Sequence, residues 1–299
     1  YTTKDKVIKL QDHFHGWHDY AMAGSDRSAP GIPEASWGTM VVVPPDDLSA
    51  VEDVIKRDPD IAAIILEPTG AHYGQLPFDT PNYLKGLREI TAQNGVVLIF
   101  DEVVSGFRFS RGGCQGLYGI TPDLTGMAKI LAGGLNGGCV TGRAEIIDTI
   151  APGRIAHPGT FNANPLSAAA GVAALELVKN EPIGEIADTR AAHLKLGLND
   201  IMGRMEIPGC AYGVSSIVHM RLGVAHECDH EYCTEGDQAM MIGVGDDTTA
   251  LLAQATVNEG IWGGPTSFIL SSTHTEQDID ETLESYERAL QSVRSEGAI

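Results

Sequence analysis

The sequence predicts an α/β protein, with a mostly parallel sheet in a large first domain over residues 1–181 and a smaller C-terminal α+β domain over residues 182–299. Three observations predict it. Residues 61–66 and 96–100 are short, continuously apolar runs, as expected of strands buried on both faces. Between them, residues 81–94 carry Leu84, Leu87 and Ile90 at helical spacing, and strand, helix, strand in one sheet implies parallel neighbours joined by right-handed crossovers. Beyond Glu181-Pro182 the order changes to long helical segments with isolated strands between them.

Taken in order, residues 6–10 read as a strand, followed by a loop, Asp12-His13-Phe14-His15-Gly16-Trp17-His18, at its carboxyl end. Residues 21–36 are rich in Gly, Ser, Pro and Ala and read as a long loop over a site. A short strand at 39–43 comes next, then an amphipathic helix at 48–57 opened by Asp46-Asp47, then the strand at 61–66, which ends in Glu67-Pro68. Asn94-Gly95 stops the helix at 81–94 ahead of the strand at 96–100. That strand runs into Asp101 and Glu102; a second apolar segment, 124–128, ends at Lys129; residues 137–142 add a strand. Thr160 lies in the turn before a small-residue helix at 166–179. The second domain has helices at 183–205, 247–259 and 276–293 and strands at 216–222 and 268–271. Thr275 with Asp278 forms the start of a capping box for the last helix.

Composition narrows the function. With 299 residues and 43% hydrophobic content the chain can bury a large core. The balance of 40 acidic against 20 basic residues gives a net charge of −20, which argues against nucleic acid or an anionic membrane as a partner. No apolar run reaches the roughly 18 residues of a spanning helix, and the first residues lack the apolar core of a signal peptide, so a cytoplasmic location is expected. Five scattered cysteines fit free thiols rather than a disulfide framework. No metal is expected. His13, His15 and His18 match no common zinc spacing, and the cluster His226, Cys228, His230 and Cys233 reads more simply as a solvated acidic strip.

The chemistry-bearing residues collect at strand ends. In open α/β sheets ligands sit beyond the carboxyl ends of the strands, so Asp101 is where a cationic group of a ligand would meet the protein. Lys129, flanked by apolar residues and released into the turn Ala132-Gly133-Gly134, can be desolvated enough to act as a nucleophilic amine. Each has a plainer reading, as a cap, an ion pair or a solvated charge.

Asp101-Glu102-Val103, Ser105-Gly106-Phe107-Arg108, Pro122-Asp123-Leu124, Lys129-Ile130 and Gly133-Gly134 together resemble the class III aminotransferases of fold type I. These use pyridoxal 5'-phosphate, and the group includes glutamate-1-semialdehyde aminomutase and the ω-transaminases. The resemblance runs over essentially the whole chain and implies that Lys129 holds the cofactor as a Schiff base and that Asp101 pairs with the pyridine nitrogen. It further implies that Phe14, in a motif with His15 and Gly16, stacks on one face of the ring. Val103, placed two residues beyond Asp101 on one strand face, packs the other, and Glu67 lies near the ring. Thr160 would reach the phosphate across a dimer interface, so a homodimer is implied. The implied reaction moves an amino group between an amine or amino acid and a keto acid or aldehyde, with Lys129 carrying the proton.

Family members carry a segment ahead of the point where this chain begins, including a turn that cradles the phosphate, so an N-terminally truncated member is expected. Arg221 is the candidate reader of a substrate carboxylate by its strand position. The stretch 263–267 lacks the acidic residue aminomutases tend to carry nearby, which favours an aminotransferase over an aminomutase-like isomerase or a lyase on the same scaffold. A non-catalytic remnant is the third reading.

Overall fold

The structure, a computed structural model, describes residues 1–24, 31–150, 154–223, 231 and 246–299. The chain divides into two compact units, Tyr1–Tyr73 with Phe78–Asn180, and Gly74–Pro77 with Glu181–Ile299.

The first unit is built on a six-stranded sheet of order β2-β1-β3-β4-β5-β6, made of Lys6–Leu10 (β1), Met40–Val43 (β2), Ile61–Leu66 (β3), Val97–Asp101 (β4), Leu124–Met127 (β5) and Cys139–Gly142 (β6). Neighbours from β2 through β5 are parallel, and β6 joins β5 antiparallel at the edge. Helix α1 (Leu48–Arg57) starts where Asp47 accepts the N–H of Ala50 at 2.8 Å, as the acidic pair predicts. Helix α2 (Thr80–Asn94) stops at Gly95, which takes the left-handed φ of 63° that a glycine supplies without strain. Both pack on the sheet, closing a core of Ile8, Leu10, Ile64, Leu66, Leu84, Leu87, Leu98 and Phe100, all fully buried.

Several expectations shift by a residue or two at their bounds, and the loop after β1 changes in kind. The loop after β1 contains two 3-10 turns, Asp19–Met22 and Glu34–Trp37, joined by the Trp37 indole N–H donating to the Asp19 carbonyl at 2.9 Å. Lys9, on β1, is fully buried and its Nζ donates to the Ala21 carbonyl at 2.7 Å, fastening that loop to the sheet.

The second unit holds an antiparallel sheet β7-β8-β9, from Gly209–Tyr212 (β7), Ile217–Leu222 (β8) and Ser267–Ile269 (β9). β7 is a strand the sequence reading lacks, because Gly-Cys-Ala-Tyr shows no alternation. Its place comes from the ladder with β8, where a side chain on Gly209 would stand 2.2 Å from the Arg221 carbonyl. Helix Ile183–Arg204 and helix Glu276–Ser295 contribute Leu194, Leu198, Ile201, Tyr286 and Leu290 to the unit's core. Thr275 and Asp278 form the complete capping box.

Just past β4 the chain turns around one buried carboxylate. Glu102 accepts the Cys114 N–H at 2.7 Å, the Ser105 hydroxyl at 3.2 Å and the Gln115 N–H at 3.3 Å, so it caps the short helix Gly113–Tyr118 and sets the return path to β5. Gly113 sits against that carboxylate at φ 65°, where an added Cβ would lie 2.2 Å from Glu102 Oε2. Gly119, at φ 68°, faces open space. Gly113→Ala is therefore expected to lower the melting midpoint by on the order of 5 °C, and Gly119→Ala by clearly less, since only backbone strain of about 1 kcal/mol acts there. Equal melting shifts in the two variants would contradict the clash with Glu102.

Candidate active site

Because β1, β3, β4 and β5 run parallel, the residues following Leu10 and Leu66, the end of β4 at Asp101, and Lys129 just past β5 come to one edge of the sheet. The loop after β1 and the loop after β3 are stitched together by Glu67. Its carboxylate accepts the backbone N–H groups of Phe14 (3.0 Å), His72 (3.2 Å) and Tyr73 (3.0 Å), while its own N–H donates to His13 Nδ1 at 2.9 Å. His13 Nδ1 also lies 3.8 Å from Glu67 Oε2, but this is no ion pair: that nitrogen is an acceptor, and burial holds the His13 pKa well below the ordinary histidine value. His72 and Tyr73 stand in left-handed backbone conformations, φ 54° and 52°, which aims both N–H groups at the carboxylate. Burial pushes the Glu67 carboxyl up to about 7, against the pull of the Phe14, Tyr73 and His72 N–H groups and with the Asp101 charge adding to the rise.

Asp101 is held through both oxygens. His15 Nδ1 donates to Oδ2 at 2.7 Å and the Val103 N–H donates to Oδ1 at 3.1 Å. This corrects the strand placement expected for Val103. β4 ends at Asp101 and residues 103 onward form turns, so Val103 does not share a strand face with Asp101, and what it shows is a backbone donor to the carboxylate.

Lys129 opens a 3-10 turn, Lys129–Ala132, at φ 50°, a left-handed conformation unusual for a lysine. The turn is wedged against helix Pro165–Asn180 through glycines: a Cβ on Gly133 would lie 2.5 Å from the Ala170 carbonyl, and one on Gly171 2.7 Å from that of Leu131. Lys129 is exposed as a residue, yet desolvation of its amine by the surrounding protein lowers its proton affinity below the ordinary lysine value, and the negative charges of Asp101 and Glu67 partly offset this. The charges of both carboxylates thus act on the amine at the sheet edge.

Phe14 is half-buried and meets Trp17 edge-on at 5.2 Å. Gly16 takes φ 105°, the turn expected there. Thr160 stands apart, exposed in the turn ahead of helix Pro165–Asn180; among the described residues it makes no hydrogen bond to the others. Arg221 is buried in the sheet of the second unit. Among the described residues no group of three or more His, Cys, Asp or Glu side chains is placed to hold a metal, and His226, Cys228, His230 and Cys233 lie outside the described residues. Sequence reasoning missed His13 as the partner of the Glu67 backbone, having weighed it only as a metal ligand. Nothing local to residue 13 signals a bond to residue 67; only the pairing of β1 with β3 creates it.

The chain matches the family model described as aminotransferase class-III over residues 1–290. It is 34% identical over 305 residues to the glutamate-1-semialdehyde 2,1-aminomutase of Natranaerobius thermophilus, covering 97% of this chain and 68% of that protein. An ω-transaminase from Sphaerobacter thermophilus has the same fold with a TM-score of 0.84 at 29% identity, covering 98% of this chain and 70% of that one. A transaminase with PLP bound superposes with a TM-score of 0.83 at 25% identity, covering 100% of this chain and 70% of that one. The chain belongs to the class-III aminotransferases.

Proposed function

We propose that this protein is a pyridoxal-phosphate-dependent aminotransferase that moves an amino group between an amine or amino acid and a keto acid or aldehyde. The observation that carries the reading is the partly desolvated Lys129 amine, within reach of the charges of Asp101 and Glu67, at the carboxyl edge of a parallel sheet. The donor set fits the cofactor: an amine of lowered proton affinity for an aldehyde, a carboxylate fixed by two donors for a pyridine nitrogen, and the Phe14 ring for a flat heterocycle. When bound, pyridoxal phosphate supplies the electron sink that lets the substrate Cα–H bond break.

Lys129 would hold the cofactor's aldehyde carbon, and its nitrogen, once free, would take the proton from the substrate Cα. Desolvation of that amine favours the unprotonated form both tasks need. Asp101 would keep the ring nitrogen protonated, Phe14 would cover one ring face, and Glu67 would anchor the Phe14 backbone while its carboxyl lies near the ring. Thr160 would serve a phosphate across a homodimer interface. Its exposure, beside Phe161 at 81% and along a helix that exposes Leu166, Val172 and Leu177, supports a second copy covering this face. No helix among the described residues is long and apolar enough to cross a membrane; a cytoplasmic setting with small-molecule substrates is part of the proposal.

A second reading has a specific observation behind it: the relative from Natranaerobius thermophilus is an aminomutase. Lys129 and Asp101 would keep their tasks, but the amino group would return to the same carbon skeleton. Incubation with a panel of amino acids and amines, together with amino aldehydes that carry amine and carbonyl on one skeleton, separates the two. A transaminase releases about one equivalent of keto product per site and stalls until a keto acid is added; an aminomutase accumulates isomer with no acceptor. In either case Lys129→Ala is expected to lower turnover by at least about 10³-fold with the fold intact. Turnover within tenfold of the parent would contradict the assignment of Lys129.

The carboxyl of Glu67 adds a pH test. Its value of about 7 in the folded protein exceeds the ordinary 4.5, so between these limits the folded state binds more protons than the unfolded chain. Stability from this group therefore falls as pH rises from about 4.5 to about 7. Glu67→Gln has no such proton. Urea melts across that window should move the stability difference in the variant's favour as pH rises; a difference that moves the other way would contradict the raised value.

A further inference from the structure

We infer that Asn136-Gly137 is a self-modifying site: the Asn136 side chain condenses with the Gly137 nitrogen, and the isoaspartyl link that follows disturbs the turn that opens at Lys129. The chemistry needs only water, so it stands apart from the aminotransferase reading. In the first step the Gly137 nitrogen bonds to the side-chain carbonyl carbon of Asn136 and the bond from that carbon to Nδ2 breaks. Nδ2 leaves as ammonia, taking the proton that the Gly137 nitrogen gives up. Water then opens the cyclic imide at either carbonyl, leaving aspartate or, with the main chain rerouted through the side chain, isoaspartate. Each event adds one negative charge and involves no oxidant or reductant.

Two Asn-Gly pairs occur in the chain, and the fold treats them differently. A glycine after asparagine has no Cβ to shield the attacking nitrogen. Asn94-Gly95 is nevertheless locked at the end of α2. Asn94 Nδ2 donates to the Ile90 carbonyl at 2.8 Å, the Gly95 N–H donates to the Thr91 carbonyl, and Gly95 holds φ 63°. Asn136 and Gly137 are exposed, in the irregular stretch between the Lys129–Ala132 turn and β6. Among the described residues neither the Asn136 side chain nor the Gly137 N–H makes a hydrogen bond, so no bond has to open before the two meet. Both residues line an open cavity of about 770 Å³, which has room for the ring and for the water that opens it. On the other side the chain is tight. A Cβ on Gly137 would stand 2.8 Å from the Ala132 Cβ, and one on Gly138 3.3 Å from the Met127 carbonyl. Isoaspartate inserts one extra carbon into the main chain at this place, so either the Lys129–Ala132 turn or the pairing of Met127 with Cys139 has to give.

The test ages the full chain for days in warm, mildly alkaline water labelled with heavy oxygen, and reads it by peptide mapping, isoelectric focusing and melting curves. The peptide containing Asn136 is expected to gain the mass of an acid in place of an amide plus one heavy oxygen, with isoaspartate the larger product. Conversion at Asn94 should be at least about tenfold slower, because two hydrogen bonds must open there first. Conversion at Asn136 should slow at mildly acidic pH, where the Gly137 nitrogen gives up its proton less readily. The aged parent should focus as a more acidic species and melt at least about 2 °C below the fresh protein. Asn136→Gln, whose extra methylene makes the ring harder to close, should keep its charge and its melting midpoint over the same time. Equal conversion at residues 94 and 136, or none at 136, would overturn the site. A converted parent that melts with the fresh protein, or a Gln variant that loses stability as fast as the parent, would overturn the effect on the turn.

Discussion

Four parallel strands delivering their carboxyl ends to one edge is the constraint on which the rest of this site depends. The carboxyl ends of β1, β3, β4 and β5 carry, respectively, the His13–Gly16 loop, Glu67, Asp101 and Lys129. No side-chain interaction could assemble these groups from positions so far apart in sequence if any one of the strands ran the other way. β6 does run the other way, and it brings no residue of the proposed set. The site is thus a consequence of sheet direction first and of local chemistry second.

Local chemistry then decides how rigidly the groups are held. Two loops carry little regular structure of their own, yet the Glu67 carboxylate ties them through three backbone N–H groups. The drawback is a carboxyl buried where it resists ionisation, and two consecutive residues, His72 and Tyr73, in a backbone conformation that disfavours side chains. Lys129 adds a third such residue, kept in place by the close approach of the Gly133 turn to the helix at Pro165–Asn180. Strain gathered where charges meet is the pattern expected when the surrounding fold over-determines the geometry of a site.

Much of this was legible before any coordinates. Apolar runs ending in Glu67 and Asp101, and an apolar segment ending in Lys129, announce a parallel sheet with charges on one edge, and the motif from Asp101 to Gly134 narrows the family. Strand alternation misled at Val103, because nothing in Asp-Glu-Val-Val shows that the strand stops at its first residue; the turn there is set by Glu102 reaching the N–H groups of Cys114 and Gln115. The His13 to Glu67 and His15 to Asp101 bonds were out of reach for the same reason. Their partners are 54 and 86 residues apart, and only the tertiary fold brings them within hydrogen-bond distance. β7 was hidden because its residues become a strand through pairing rather than propensity.

The most direct measurement is chemical. The protein saturated with pyridoxal phosphate is reduced with borohydride, digested and mapped by mass spectrometry. A pyridoxyl adduct on the peptide containing Lys129, and on no other lysine, is the predicted result. An adduct on a different lysine, or none at full occupancy, would contradict the assignment of this amine as the group that holds the cofactor.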